Sequence, residues 1–169
     1  GDLRSIHCWA TSPVGTRPTA PPPAWRVSHA LNGGGILMNW GVYYLDFLLG
    51  LSGWRLKPVA VSAQVWGVAP ELSDRVANGA DAETHLTAMI RFACGATMVY
   101  ERGEFTAAPA RQEWQLLGTR GALRLHLFDA KAAVRLDRAD PTTGVQTSTL
   151  FEDPASTEQF MVGPVADWV

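Results

Sequence analysis

Three polar residues interrupt the most apolar segment of the chain, which runs from Ile36 to Leu51. They are Asn39, Tyr43 and Asp46, at i, i+4 and i+7, so a helix would place them on one face. A tyrosine hydroxyl can exchange a proton with a carbonyl or alcohol oxygen, and an asparagine amide can hydrogen-bond a hydroxyl. The spacing predicts a polar stripe that faces a ligand, water in a cleft, or polar groups of a sheet, and it leaves these alternatives open.

Glycines precede and interrupt this segment. Gly33, Gly34 and Gly35 come directly before it, where the free N–H groups of a helix start can hold an anion or let the backbone approach a ligand. Gly41 inside a helix costs about 1 kcal/mol relative to alanine, which predicts a close neighbour there. The triplet is not a G-x-G-x-x-G loop and follows no strand, so it does not by itself predict a dinucleotide site.

The elements that must position these residues are a helix and a set of strands. Apolar residues fall on nearly all sides of Ile36 to Leu51, which predicts a buried helix. Alternating segments predict the strands: Leu3 to Trp9, "PVAVSAQVWGVA", "ETHLTAMIRFA", "ATMVYERGEF", the two halves of "QEWQLLGTRGALRLHLF", "AAVRLDR" and "VQTSTLF". Short turns between consecutive strands predict an antiparallel arrangement. We therefore expect an α+β fold with an open, largely antiparallel sheet and helices packed on one face.

The remaining segments predict connections and a short helix. Thr11 to Trp25 contains five prolines and is expected to be an ordered loop or a linker, followed by a short helix in "WRVSHALN". The final "GPVADWV" resembles the first turn of a helix, with Pro164 near its start. We expect residues 1–169 to form a single domain that is a fragment of a longer protein.

Composition excludes several classes of function. The net charge is −2 and no basic cluster occurs, so we expect no nucleic-acid partner. Cys8 and Cys94 form no CxxC pair and are expected to be buried free thiols, and the four histidines show no metal-ligand spacing. The apolar segment is shorter than the roughly 20 residues of a membrane span, and the first residues lack a signal sequence. We expect a cytoplasmic protein with no membrane partner.

The segment "GGGILMNWGVYYLDFLLGLSG" resembles the second-domain signature of the Gfo/Idh/MocA oxidoreductases, which reads roughly G-G-G-x-L-x-D-x-G-x-H-x-x-D. The matching positions are Gly33, Gly34, Gly35, Leu37, Gly41 and Asp46. Further similarity lies, in the family's order, in "GDLRSIHCW", "AWRVSHALNGGG", "ADAETHLTAMIRFACGA", "LLGTRGALRL" and "PVADWV".

This resemblance implies a missing partner domain. Members of the family carry an N-terminal Rossmann domain that binds NAD or NADP and a catalytic lysine in an E-K-P motif, and this sequence has neither. The resemblance thus implies a substrate-binding and oligomerisation domain without a cofactor-binding or metal site of its own. The chain alone is expected to be inactive, and a homo-oligomer is expected to form through the exposed face of the sheet.

The resemblance also implies roles for residues of the apolar segment. The family's catalytic aspartate falls on Asn39 and its histidine on Tyr43, and some relatives use tyrosine at the histidine position. Tyr43 is thus expected to transfer the proton and Asn39 to hydrogen-bond a substrate hydroxyl, as the two catalytic residues. The expected substrate-binding residues are Arg26, Gly35, Trp40 and Asp46. For Arg26 a loop-fixing role, and for Asp46 a structural anchor, remain alternatives.

These roles imply that the parent protein is an NAD(P)-dependent oxidoreductase. It would transfer a hydride to or from a sugar, cyclitol or related hydroxyl or carbonyl compound. Because both the aspartate and the histidine of the signature are replaced, a non-catalytic ligand sensor or a structural dimerisation domain that kept the fold is the alternative.

Overall fold

The computed structural model describes residues 1–15, 23–126 and 133–152, and it has an α+β fold. The eight strands are β1 (Leu3–Pro13), β2 (Pro58–Trp66), β3 (His85–Phe92), β4 (Thr97–Thr106), β5 (Arg111–Gly118), β6 (Gly121–Leu125), β7 (Val134–Asp140) and β8 (Gly144–Phe151). They follow the order β2-β3-β4-β1-β5-β6-β7-β8 in one sheet. The pairs β2/β3, β3/β4, β5/β6, β6/β7 and β7/β8 are antiparallel. The predicted fold class is therefore confirmed.

The chain divides into two compact units, residues 7–112 and residues 1–6 with 113–169. The first unit contains the helices and every predicted site residue. The second contains the strands β5 to β8 of the carboxyl-terminal half. Of the predicted elements, the helix at Pro164 and part of the proline-rich loop lie outside the described residues.

Alternate residues of β3 and β4 supply part of the core of the first unit. Leu86, Ala88 and Phe92 of β3 are buried while Met89 and Arg91 are exposed, as the sequence pattern predicts. The neighbouring strand β4 buries three alternate residues in the same way. These are Met98, Tyr100 and Arg102. The faces of the hairpin can therefore be assigned from sequence.

The helical segment differs from its prediction. A short helix, α1 (His29–Asn32), ends at Gly33, whose φ of 75° is the left-handed conformation that favours glycine. A π-helical turn (Leu37–Gly41) then leads into the helix α2 (Val42–Leu51). The helix predicted from Ile36 to Leu51 is therefore present, and it contains a π-helical turn that the sequence does not predict.

Burial of the helix was also predicted incorrectly. Within α2 only Tyr44 and Leu48, one turn apart, are buried, whereas Val42 and Leu51 are exposed. A helix with apolar residues on every side can be buried, but the pattern does not require burial, because protein surfaces also carry apolar side chains. The helix thus packs with one face and leaves the other open.

In the second unit, an ion pair connects β6 to β7. Arg124 donates through Nε and Nη2 to the two carboxylate oxygens of Asp137, each at 2.7 Å. These bonds, with a further one from Thr147, hold the pKa of the Asp137 carboxyl below its usual range. A turn that begins at Asp140 and Pro141 connects β7 and β8. It is closed by backbone N–H groups that donate to the Asp140 carboxylate.

The described residues contain no cluster of three or more histidine, cysteine or acidic side chains that would suit a metal ion. None of their helices is long and apolar enough to cross a lipid bilayer. Of the two free cysteines, Cys8 is buried as expected, but Cys94 is exposed in the turn between β3 and β4.

Candidate functional site

The start of the helical segment is capped by a carboxylate from a distant part of the chain. Glu83 accepts hydrogen bonds from the backbone N–H of Gly35 through Oε2 at 2.8 Å and from that of Leu37 through Oε1 at 3.2 Å. Its carbonyl oxygen accepts a third bond, from the N–H of Ile36 at 2.8 Å. The positive end of the helix dipole, where the sequence suggested an anion or a ligand, is therefore occupied by the protein's own anion.

Two glycines allow this close packing. A Cβ on Gly35 would overlap the carbonyl oxygen of Glu83, so any other residue would push the two segments apart. A Cβ on Gly41 would lie 2.6 Å from a methyl carbon of Leu37 and 3.0 Å from the hydroxyl of Tyr100. The close neighbour predicted for Gly41 is confirmed. Both glycines thus serve contacts within the protein.

The π-helical turn carries Asn39 and Trp40, and α2 carries Tyr43 and Asp46. In this turn the N–H of Val42 bonds to the carbonyl of Leu37, five residues back, a geometry that recurs at functional sites. Asp46 is exposed, and Tyr43 is 46% exposed. The Tyr43 ring lies 5.9 Å from the Trp40 ring, centroid to centroid.

Asn39 is linked to Arg26, which lies in a 3-10 turn (Ala24–Val27). The side-chain amide of Asn39 donates to the carbonyl oxygen of Arg26 at 3.0 Å. The Arg26 guanidinium in turn donates to both carboxylate oxygens of Glu104, at 3.1 and 3.4 Å. Arg26 therefore fixes the approach to the helical segment, in agreement with the loop-fixing alternative. Asn39 keeps a second N–H and a carbonyl oxygen for other partners.

A buried polar layer lies under the inner face of α2. Arg102 is 5% exposed, donates to the carbonyl oxygens of Ala10 and Gly103, and has Nη2 3.7 Å from Glu104. Desolvation by burial raises the pKa of the Tyr44 and Tyr100 hydroxyls. These two tyrosines thus stay protonated in the folded protein.

The structure brings most of the predicted site residues into one region. Asn39 and Arg26 are in contact, Trp40 and Tyr43 are ring neighbours, and Gly35 opens the same helical segment. Asp46 lies on α2 three residues beyond Tyr43 and is exposed, so burial does not require it to have a partner. Sequence analysis missed Glu83 and Glu104, which hold the helix start and Arg26.

The glycine triplet does not have the geometry of a dinucleotide-binding loop. It follows α1 rather than a strand, and the N–H groups of Gly35 and Leu37 are taken by the Glu83 carboxylate. A pyrophosphate would meet a negative charge there instead of free N–H groups. The helical segment also carries the exposed Tyr43 and, one turn before it, Asn39.

Comparison with known proteins identifies relatives of this fold. Residues 1–124 match the profile of the GFO/IDH/MocA C-terminal domain. No curated protein sequence matches the chain. Among solved structures, levoglucosan dehydrogenase in complex with NADH and levoglucosan is similar, with a TM-score of 0.71 and 22% identity. That match covers 92% of this chain and 41% of the dehydrogenase.

Two further solved structures share the fold. UDP-N-acetylglucosamine 3-dehydrogenase GnnA from Acidithiobacillus ferrooxidans has a TM-score of 0.61 and 14% identity, over 90% of this chain and 42% of GnnA. Aldose-aldose oxidoreductase from Caulobacter crescentus, complexed with glycerol, has a TM-score of 0.62 and 21% identity, over 94% of this chain and 42% of the enzyme. The chain thus spans about two fifths of each of these proteins. With the profile match over most of its length, the chain belongs to the Gfo/Idh/MocA oxidoreductase family and is a C-terminal domain of that family.

Proposed function

We propose that residues 1–169 form the substrate-binding domain of a longer NAD(P)-dependent oxidoreductase. Its substrate is a sugar, cyclitol or related hydroxyl or carbonyl compound, and the nicotinamide cofactor, held by another part of the whole protein, exchanges the hydride. The observation that carries the proposal is the open position of Tyr43, on the exposed side of α2 and beside Trp40. The names of the similar structures, which include sugar dehydrogenases, support the substrate class.

Tyr43 exchanges the proton in this proposal. Its hydroxyl donates a proton to the substrate oxygen when a carbonyl is reduced, and its phenolate accepts one when an alcohol is oxidised. A phenolate forms near neutral pH only beside a cation, and the Arg26 guanidinium is already paired with Glu104. In this proposal the cation comes from the rest of the longer protein, which is the position that the family resemblance gives to a lysine.

Asn39, Trp40 and Arg26 hold the substrate. Asn39 hydrogen-bonds a hydroxyl with the amide atoms that remain after its bond to Arg26, and Trp40 offers an apolar ring surface. Gly35 and Asp46 act at the two ends of the segment, Gly35 by fixing the helix start and Asp46 by presenting an exposed acceptor.

A ligand sensor without catalytic activity is the second candidate. The observation that favours it is the hydrogen bond from Asn39 to Arg26, since a side chain that holds a loop in place has a structural reason to be present. Such a protein, or one that serves only in dimerisation, would bind or assemble without turning over a substrate.

Cofactor reduction separates these functions. The full-length protein that contains this chain is incubated with NAD⁺ or NADP⁺ and a panel of levoglucosan, glucose and inositol, and NAD(P)H formation is followed by absorbance. We expect turnover of at least one neutral sugar or polyol. A shift of the thermal midpoint by a sugar without any reduction of either cofactor would support the sensor. The isolated chain should not bind NAD⁺ or NADPH in calorimetric titration.

The same proposal includes a cytoplasmic homo-oligomer that assembles through the sheet. Cys8 and Cys94 are free thiols, as in reducing compartments. On the β3 face opposite the buried residues, Met89 is 56% exposed beside Arg91, a mixture of apolar and charged surface that is typical of interfaces. Light scattering at micromolar concentration should give a dimer mass, and Met89→Asp should give a monomer. A monomer mass for the unmodified chain would contradict the assembly.

A further inference from the structure

The cationic features of the candidate site are each matched by an acidic side chain of the same chain. The helix start at Gly35, a natural anion site, holds the Glu83 carboxylate through two backbone N–H groups. The guanidinium of Arg26 holds the carboxylate of Glu104 through both oxygens. The helix start is therefore not open to an anionic group of a substrate, and the charge of Arg26 is neutralised by Glu104.

Among the described residues of this region, positive charge is not in excess. Two guanidinium groups, of Arg26 and of the buried Arg102, stand against two carboxylates, of Glu83 and of Glu104. Asp46 adds an exposed negative charge on α2, three residues from Tyr43. An anionic sugar would meet no excess of positive charge here, and binding would cost the desolvation of its own charge.

We infer that this half of the site selects uncharged sugars and polyols and discriminates against uronates and sugar phosphates, with Glu83 and Glu104 as the residues that determine this specificity. The inference rests on the proposed oxidoreductase function and narrows its substrate class. Hydrogen bonds from Asn39 and Tyr43 would then recognise hydroxyl groups, and those bonds are strongest in a region without competing ions.

The test compares substrates that differ by one charge. In the full-length protein, kcat/KM is measured for glucose against glucuronate and for galactose against galacturonate. In the pair whose neutral sugar has the higher kcat/KM, we expect that value to be at least ten times the kcat/KM of the uronate. The variant Glu104→Gln, which releases Arg26, should reduce this preference by about tenfold, whereas Glu71→Gln, an exposed carboxylate in another turn, should leave it unchanged. A preference for the uronate in the unmodified protein would overturn the inference and leave the oxidoreductase function standing.

A second measurement depends neither on enzymatic activity nor on the Glu104→Gln variant, so it can still be made if that variant does not fold. The isolated chain is labelled with ¹⁵N and titrated with inorganic sulfate, and the amide signals of Gly35 and Leu37 are followed by NMR. They should not respond in the unmodified chain and should shift in Glu83→Ala, because the helix start is then open. Equal shifts in both proteins would show that Glu83 does not exclude anions. Because the titration needs no turnover, it shows whether Glu83 excludes anions even if neither glucose nor galactose is a substrate.

Discussion

Gly35 packs directly against the backbone of Glu83, which lies 48 positions further along the sequence. A Cβ on Gly35 would overlap the carbonyl oxygen of Glu83, and the side chain of the same glutamate accepts the Gly35 N–H at 2.8 Å. Gly35 thus lets the helical segment pack against the residues before β3, and the Glu83 carboxylate holds the two segments together. This contact sets the position of the segment that carries Asn39 and Tyr43.

The cost of losing this contact can be measured with two glycine variants. Gly35→Ala should lower the free energy of unfolding by about 2–3 kcal/mol, because the added methyl group must displace backbone atoms. Gly50→Ala is the control, since a Cβ there meets nothing within 4 Å and alanine stabilises a helix by up to about 1 kcal/mol. Urea denaturation of both chains gives the values. Equal stability of the two variants would show that Gly35 and Glu83 are further apart in solution.

The hydroxyl of Tyr100 offers a stability prediction of the opposite sign. Tyr100 is 1% exposed, and its hydroxyl has no hydrogen-bond partner among the described residues. Tyr100→Phe should therefore raise the free energy of unfolding, by about 1 kcal/mol, because an unpaired buried polar group is removed. Tyr43→Phe, at an exposed position, should change it by less than about 0.5 kcal/mol. A marked loss of stability in Tyr100→Phe would mean that the hydroxyl is bonded, for example to a buried water molecule.

The strands and the site residues differ in how far the sequence predicts them. Alternation of apolar and polar residues predicted β2 to β8 and the buried face of β3, although β2 and β8 are exposed along their whole length. For β1 only the first part was predicted, Leu3 to Trp9, while the strand continues to Pro13. The prediction that the helix is buried on nearly all sides was wrong because apolar composition does not distinguish a covered face from an exposed one.

Within the site, spacing placed Asn39, Tyr43 and Asp46 on one face of a helix, and the structure shows Tyr43 and Asp46 exposed. The spacing gave no sign of Glu83 or Glu104. Each carboxylate meets groups 46 or more residues away in the sequence, so local periodicity carries no record of the contact. The exposure of Cys94 was missed for a similar reason, since it depends on the turn between two paired strands. Long-range pairing is therefore the information that the sequence alone did not supply.

The ion pair between Arg124 and Asp137 predicts how stability depends on pH. The pKa of Asp137 is lowered first by its hydrogen bonds from Arg124 and then by that from Thr147. Because the folded pKa lies below the unfolded value near 3.8, the pair stabilises the fold above that value and loses its effect as the pH falls through the folded pKa.

Asp137→Asn tests this pH dependence. The difference in free energy of unfolding between the unmodified chain and the variant should be constant from about pH 5 to pH 7 and shrink below about pH 4. Denaturation is measured at each pH. Glu71→Gln, which removes an exposed carboxylate, serves as the control. A difference that does not change with pH would show that Asp137 is not ionised in this pair.

Asn39 should affect substrate binding more than the chemical step. In the full-length protein, Asn39→Ala is expected to raise KM for the sugar several-fold, because a hydrogen bond to a hydroxyl is lost in both the ground state and the transition state. The variant also loses the hydrogen bond to the Arg26 carbonyl. Thermal denaturation of the same variant measures how much stability this loss costs. A drop in kcat with unchanged KM would instead give Asn39 a role in the transition state.

The most direct test is the turnover of Tyr43→Phe in the full-length protein with a neutral sugar that it oxidises. Removal of this hydroxyl should lower kcat about 100-fold, because the proton loses its acceptor, while the affinity for the nicotinamide cofactor stays unchanged. Tyr100→Phe, which removes a hydroxyl from the opposite, buried side of the helical segment, should leave kcat unaltered. An unchanged kcat in Tyr43→Phe would contradict the assignment of proton transfer to Tyr43.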